Sequence, residues 1–186
     1  MNEAKKDFRI IDKYVGTELR NEIGTFLAGA YKTLWNGEVK NHLILYTGID
    51  HPTPVRVQSG CLTGDIFGDQ RCDCHSQLVQ VMKYIYDVNN GVLVYTVEDD
   101  GRGRGTLTKF KVYHLRDKFG ITSQDACKLL GLNYDTRDYY PVTRILMDLG
   151  LERIILLSDN ATKKESLEKH GIVVTDVKNI FQKKAI

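Results

Sequence analysis

Several things are scarce in this 186-residue chain, and each scarcity narrows the field. It has three prolines, one tryptophan and four cysteines. No apolar run approaches the ~20 residues needed to span a bilayer, so a helical membrane protein is not expected. The formal net charge is only +2. Nothing global therefore calls for nucleic acid or a membrane surface as partner, and any anion site must be built locally. The opening Met1-Asn2-Glu3-Ala4-Lys5-Lys6 is polar and no apolar stretch follows it, so no signal peptide is expected and a cytoplasmic location is the default. In a reducing compartment clustered cysteines are metal ligands or catalytic groups sooner than disulfides. What is present is ordinary for a globular protein, with 42% hydrophobic and 27% charged residues, enough for one domain or a compact two-lobed unit. Internal repeats and low-complexity segments are absent.

Residues 1–22 are charged and weakly patterned, consistent with a short strand or helix packed on the body. Residues 24–31 read as a strand, Asn36-Gly37 as a turn, 42–46 as the hairpin partner and 55–59 as a third strand. The period then changes. Leu78, Val81, Met82 and Ile85 recur at helical spacing, with Ser76 as N-cap and Asn89-Asn90-Gly91 as the stop. A buried strand over 91–97 leads into an acidic and Gly/Arg-rich loop, 98–105. Helices are expected over 108–118, from the Thr122-x-x-Asp125 capping box to about 130, over 141–149 with Pro141 in the first turn, and over 162–170. Strands are expected over 154–157 and 172–174, with a loose polar end beyond. An antiparallel β start followed by alternating α and β elements predicts an α/β (α+β mixed) fold.

Three of the four cysteines, Cys61, Cys72 and Cys74, lie within fourteen residues. Three thiolates can fill three corners of a tetrahedron and leave the fourth open, the pattern of a catalytic zinc site. A disulfide or unrelated buried thiols are the plainer alternatives. His75 could close the site as a fourth ligand, but a supporting or surface role suits its position directly after Cys74. Cys127, in a helical stretch, reads as a small buried residue. In Asp100-Gly-Arg-Gly-Arg-Gly105 closely spaced glycines expose backbone N–H groups and two guanidiniums can bind phosphate oxygens; a flexible solvated loop has the same composition. Asp135-Thr136-Arg137-Asp138 is equally compatible with a surface charge cluster. Ser158 to Lys163 joins a strand to a helix, a usual ligand position in α/β sheets.

Together these residues resemble the GTP cyclohydrolase II family of riboflavin biosynthesis. Residues 56–74, Arg-Val-Gln-Ser-Gly-Cys-Leu-Thr-Gly-Asp-Ile-Phe-Gly-Asp-Gln-Arg-Cys-Asp-Cys, nearly reproduce its Arg-Val-His-Ser-Glu-Cys-Leu-Thr-Gly-Asp and Arg-Cys-Asp-Cys-Gly. The resemblance covers about residues 23–175, the catalytic domain on this view, with 1–22 an N-terminal extension and 176–186 a short C-terminal tail. It implies Zn²⁺ on Cys61, Cys72 and Cys74, Mg²⁺ with the substrate phosphates, and GTP as the purine nucleotide substrate. Asp135 is then the proton acceptor, Tyr113 stands near the opening ring and Arg137 engages the α-phosphate. Arg56, Gln77, Asp100, Gly101, Arg102, Thr122 or Ser123, Ser158 and Lys163 fall at nucleotide contacts. The implied reaction opens the guanine imidazole ring with release of formate and pyrophosphate, and the implied assembly is a homodimer.

The chain departs from the pattern at five places. Gln58 stands for its His, Gly60 for its Glu, and His75 for the Gly after the last cysteine. Asp99-Asp-Gly-Arg-Gly-Arg-Gly105 replaces Gln-Glu-Gly-Arg-x-Ile-Gly, and Ser158-Asp-Asn-Ala161 replaces Thr-Asn-Asn-Pro. Two other functions therefore stay open: a diverged paralogue that uses another nucleotide or stops at an intermediate, and a non-catalytic nucleotide-binding protein with a structural zinc.

Overall fold

The computed structural model describes residues 7–158 and 160–181. The first six residues of the expected extension, Asp159 of the strand-to-helix turn and the last five residues of the tail lie outside the described residues.

Seven strands form one sheet: β1 (Arg9–Arg20), β2 (Thr25–Trp35), β3 (Glu38–Tyr46), β4 (Thr53–Ser59), β5 (Val92–Thr96), β6 (Arg153–Leu157) and β7 (Val173–Lys178), in the spatial order β1-β2-β3-β5-β4-β6-β7. The first four in space pair antiparallel; β5, β4, β6 and β7 pair parallel. The hairpin turn at Asn36-Gly37 has positive φ at both residues, 50° and 80°, which suits the twist of a two-residue β-hairpin. Residues 9–20 are thus the edge strand of the same sheet. Their exposure shows no two-residue alternation, and the register shifts twice along the pairing with β2, so no strand pattern is visible in the sequence there.

Helices cover the sheet: α1 (Leu62–Asp65), α2 (Cys74–Asp87), a helical turn α3 (Asp100–Gly103), α4 (Gly105–Phe119), α5 (Ser123–Leu129), α6 (Tyr140–Asp148) and α7 (Ala161–Lys169). Val81 and Ile85 of α2 pack with Phe26, Leu93 and Leu157 on one face. On the other, Val142, Ile145 and Leu146 of α6 and Leu167 of α7 pack with Tyr31, Ile44, Val55, Val92, Ile154 and Leu156. Six of the seven β4 residues are buried, as expected of a parallel strand covered on both sides. A third cluster of Val112, Ala126 and Cys127 joins α4 to α5.

Two boundaries differ from the sequence expectation. α2 starts at Cys74, because Gln77 N already donates to Asp73 O at 2.9 Å; Ser76 lies inside the first turn, where its Oγ accepts from Gln80. The expected 98–105 loop is mostly helical turn. Positive φ at Gly101, Arg102, Gly103 and Gly105 folds the chain back tightly enough for α4 to begin at Gly105, three residues before the expected start.

The topology fixes where chemistry can occur. From β4 the chain crosses to β5 on one side, and from β5 it returns past β4 to β6 on the other. The strand order reverses at β4, and ligands of open α/β sheets bind outside the carboxyl ends of strands at such a point. Cys61 lies two residues past the end of β4.

Candidate active site

Cys61 stands at the N-terminus of α1, Cys72 in the loop after it, and Cys74 at the first residue of α2. Their sulfurs lie within 4.8 Å of one another, with Cys61 Sγ and Cys72 Sγ 3.6 Å apart. Thiolates ~2.3 Å from a tetrahedral ion stand about 3.8 Å from each other, so this spacing fits one metal ion. Among the described residues no other group of His, Cys, Asp or Glu gathers in this way, and His75 is not part of it. Its Nδ1 lies 3.2 Å from Asp65 O, a supporting position. The backbone makes room for the sulfurs at Gly64, where a Cβ would stand 2.8 Å from Cys72 Sγ and 3.0 Å from Cys61 Sγ. Asp65 braces the centre from below: its Oδ2 accepts from Cys61 N (3.0 Å) and from the Tyr95 hydroxyl (2.7 Å).

The electrostatics agree with a cation site. Hydrogen bonds from Cys72 and Cys74 pull the Cys61 thiol well below its ordinary value, while proximity to Cys61 raises Cys72 and Cys74. Three thiols this close cannot all ionise unless a cation sits among them. One fixed cation is already adjacent. Lys109 Nζ donates to Cys61 Sγ at 2.9 Å and to Asp100 Oδ1 at 3.0 Å. Burial opposes its charge, but these two partners outweigh burial and hold its pKa above the ordinary lysine value.

A cleft of about 390 Å³ opens over the thiols. Of the residues expected at the site, Cys61, Cys72, Cys74, Tyr113, Arg56, Gln77, Asp100, Gly101, Arg102, Ser123, Arg137 and Lys163 line it. Buried Arg56 donates to Gln58 Oε1 through Nε (2.9 Å) and Nη2 (2.8 Å), and to Gln77 Oε1 at 2.7 Å. The glutamine that departs from the family pattern thus orients an arginine. The Tyr113 ring stacks under the Arg71 guanidinium at 3.9 Å, and burial raises its hydroxyl pKa. Lys163 Nζ donates to Val57 O at 2.8 Å.

Three expected residues, Asp135, Thr122 and Ser158, are not among those lining the cleft. Arg137 grips Asp135 through Nε at 2.9 Å and through Nη2. Burial pushes the Asp135 carboxyl up, but the Arg137 hydrogen bonds outweigh this and leave it below the usual carboxylate value. Arg137 also donates to Ser59 Oγ at 3.1 Å, tying the pair to the end of β4. Thr122 caps α5, its Oγ1 accepting from Asp125 N at 3.1 Å, and Ser158 is buried in its turn, accepting from Asn160 N at 3.0 Å. Asp100 lines the cleft, but its oxygens are already engaged by Gly101 N, Thr106 and Lys109.

Sequence reasoning missed Lys109, Ser59, Asp99 and Arg71, all in the cleft wall; Arg104, the second guanidinium of the Gly/Arg loop, also lines it. For Lys109 a signal existed, since it precedes Tyr113 by four residues and so shares its helix face. Cys127 is buried as expected, yet its sulfur also meets Arg104 Nη2 at 3.5 Å.

Fold and site together define a class: an open α/β sheet with a three-thiol centre and a cationic cleft at its switch-point strand. The family follows from comparison with known proteins. The model of the GTP cyclohydrolase II family matches residues 12–179, and this chain belongs to that family. Over 169 residues it is 36% identical to GTP cyclohydrolase-2 of Picrophilus torridus, covering 89% of this chain and 85% of that protein. Over 166 residues it is 36% identical to GTP cyclohydrolase-2 of Streptomyces coelicolor, covering 89% and 75%. The riboflavin biosynthesis protein RibBA of Thermotoga maritima is 34% identical over 172 residues, 92% of this chain but only 43% of that protein. The chain thus spans less than half the length of that relative. Among the described residues no helix is long and apolar enough to cross a membrane.

Proposed function

We propose that the chain is a metal-dependent hydrolase of riboflavin biosynthesis that opens the imidazole ring of GTP, releasing formate and pyrophosphate and leaving a diaminopyrimidinone ribosylamino phosphate. The observation that carries this is the convergence of three thiols within 4.8 Å in a cleft lined by guanidinium and ammonium groups.

Cys61, Cys72 and Cys74 would hold Zn²⁺, which when bound supplies Lewis acidity and activates water at near-neutral pH. Around that centre the chain's own groups divide the remaining work. Lys109, fixed by Asp100, offsets the negative charge that the sulfurs accumulate. Arg102, Arg137 and Lys163 present charge to the phosphates, which Mg²⁺ accompanies. Tyr113, clamped under Arg71, orients the base. Asp135, kept ionised by the cleft residue Arg137, is the proton acceptor. Arg56, steered by Gln58 and Gln77, completes the wall. We expect a homodimer.

Incubating zinc-loaded protein with GTP and Mg²⁺, with formate and pyrophosphate assayed separately, tests the reading. Both products should appear in equal amounts. Pyrophosphate alone would point to an enzyme that stops at an intermediate, and tight nucleotide binding without any product would refute turnover. The departure at Gly60 has a local reason. A Cβ at Gly60 would stand 2.7 Å from Val97 O and 2.9 Å from Thr96 O, so no side chain can be added there without shifting the backbone at the end of β5.

A further inference from the structure

Asp99 is a buried carboxylate that the proposed function leaves without a task. It ends the helical turn Val97–Asp99 that follows β5, and its side chain is only 2% exposed. Lys40 Nζ, from β3, donates to its Oδ1 at 2.9 Å. The Ser59 hydroxyl, at the end of β4, donates to its Oδ2 at 3.3 Å. A buried ion pair brings on average no stability over apolar residues of similar volume. Its presence here calls for a positional explanation.

The contacts continue from Ser59 to the cleft. Arg137 Nη1 donates to the same Ser59 Oγ at 3.1 Å, and Arg137 lines the cleft. The chemistry of the three groups fixes the direction of this relay. A carboxylate only accepts and a guanidinium only donates, whereas a hydroxyl offers one proton and two lone pairs. With its proton committed to Asp99, Ser59 turns a lone pair toward Arg137. Asp135 grips Nε and Nη2 of the same guanidinium, so the planar group is held at two places. Burial opposes the Arg137 charge, but the hydrogen bonds to Asp135 and the nearby charges of Asp135 and Asp99 outweigh it. The loop that carries Arg137 is anchored separately, with Thr136 N donating to Arg102 O at 3.1 Å. Losing the Ser59 contact therefore frees the guanidinium without releasing the backbone, and a group that must be ordered at binding binds less tightly.

We infer that Asp99 is a positioning residue: acting through the Ser59 hydroxyl, and held by Lys40, it fixes the Arg137 guanidinium for the phosphates of the bound nucleotide. The inference rests on the proposed function for the reading of the cleft as a nucleotide site and of Arg137 as a phosphate contact.

The test is a double-mutant cycle read by calorimetric binding to the zinc-loaded protein with Mg²⁺. The ligands are the α,β-methylene analogue of GTP, whose pyrophosphate cannot be released, and guanosine, which has no phosphates. Asp99→Asn and Ser59→Ala should each weaken the triphosphate analogue by about threefold to tenfold, the worth of one ordinary hydrogen bond, and leave guanosine within about twofold. The double variant should bind the analogue within about twofold of the weaker single variant, because both substitutions cut one relay. If Asp99→Asn does not fold, Lys40→Met/Asp99→Leu takes its place in the cycle, since it leaves no charge buried and unpaired. Additive losses would mean that Asp99 does not act through Ser59 and would overturn the inference. Equal weakening of guanosine, or unchanged binding in Asp99→Asn, would overturn it as well. An unsubstituted protein that binds guanosine and the analogue equally, or neither, would refute the phosphate-contact reading together with the inference. Coupled, phosphate-selective losses in a protein that releases no formate from GTP would leave the inference standing and refute the proposed hydrolysis alone.

Discussion

Gly64→Ala adds a single methyl group at the point of closest approach between backbone and thiols. The new carbon would stand 2.8 Å from Cys72 Sγ, 3.0 Å from Cys61 Sγ and 3.3 Å from Cys74 Cβ. Ordinary contact between non-bonded heavy atoms is about 3.5–4.0 Å, so the two sulfurs must retreat by roughly 0.5–1 Å. Coordination tolerates only about 0.2 Å of error in ligand distance, so this displacement breaks the site. The fold should tolerate the change far better. Overpacking costs about 1–3 kcal/mol, and in a domain of this size each kcal/mol moves Tm by about 2–4 °C. The expected variant is therefore folded, melts about 2–12 °C lower, and binds metal with strongly reduced stoichiometry after gel filtration. Elemental analysis, thiol titration and a melting curve on the same preparation report the three quantities. A Gly64→Ala protein that retains one full equivalent of metal at unchanged affinity would refute the placement of the ion among the three sulfurs.

Three further perturbations probe separate parts of the molecule. Lys109→Met leaves Asp100 and Cys61 without their shared donor. Both members of the Lys109–Asp100 pair are at most 10% exposed, and breaking a pair of this kind costs about 3–5 kcal/mol, measurable by urea unfolding at neutral pH; a loss under about 1 kcal/mol would show the contact to be incidental. His42 is buried between Thr33 and Thr96 at 2.9 and 3.1 Å, and burial lowers its pKa from 6.5 to about 4. Its neutral form is the one the fold accepts, so its contribution is complete above pH 6.5 and is lost as pH falls toward 4. At about 1.4 kcal/mol per unit the loss approaches ~3 kcal/mol, and His42→Gln should flatten the stability profile over that window. Asp135→Asn should abolish formate release while metal stays bound. It should also remove part of the acid sensitivity below the ordinary aspartate pKa, because a carboxyl held low by Arg137 contributes above that value and loses its contribution as it protonates. Metal loss in the asparagine variant would contradict its assignment as a proton acceptor.

The sequence made some of these features readable and hid others, for identifiable reasons. The central strands announced themselves because β4 and β5 are buried on both faces and so consist of nearly continuous apolar residues. The outer strands β1 and β7 are largely exposed, so no alternation betrayed the first and the second read as half its length. The thiol centre was legible because its ligands are close in the chain and chemically distinctive. The cleft wall was not. Ser59, Asp99, Arg71 and Lys109 are individually commonplace residues from separate elements that only the fold brings to one cleft. Asp135 and Ser158 show a different limit, since a motif position does not reveal which neighbour a side chain will engage. Positive φ at four consecutive or alternate residues over 101–105 turned an apparent loop into the start of a helix, which glycine content alone could not decide.

The three sulfurs lie within one short stretch, 61–74, and none of their side chains belongs to the apolar clusters that hold helices to sheet. Packing of helices on the sheet thus does not run through the sulfurs. On the proposed reading, metal would enter a scaffold that is already folded, and protein stripped of metal is expected to keep its secondary structure and its cooperative melting, and to regain metal without refolding.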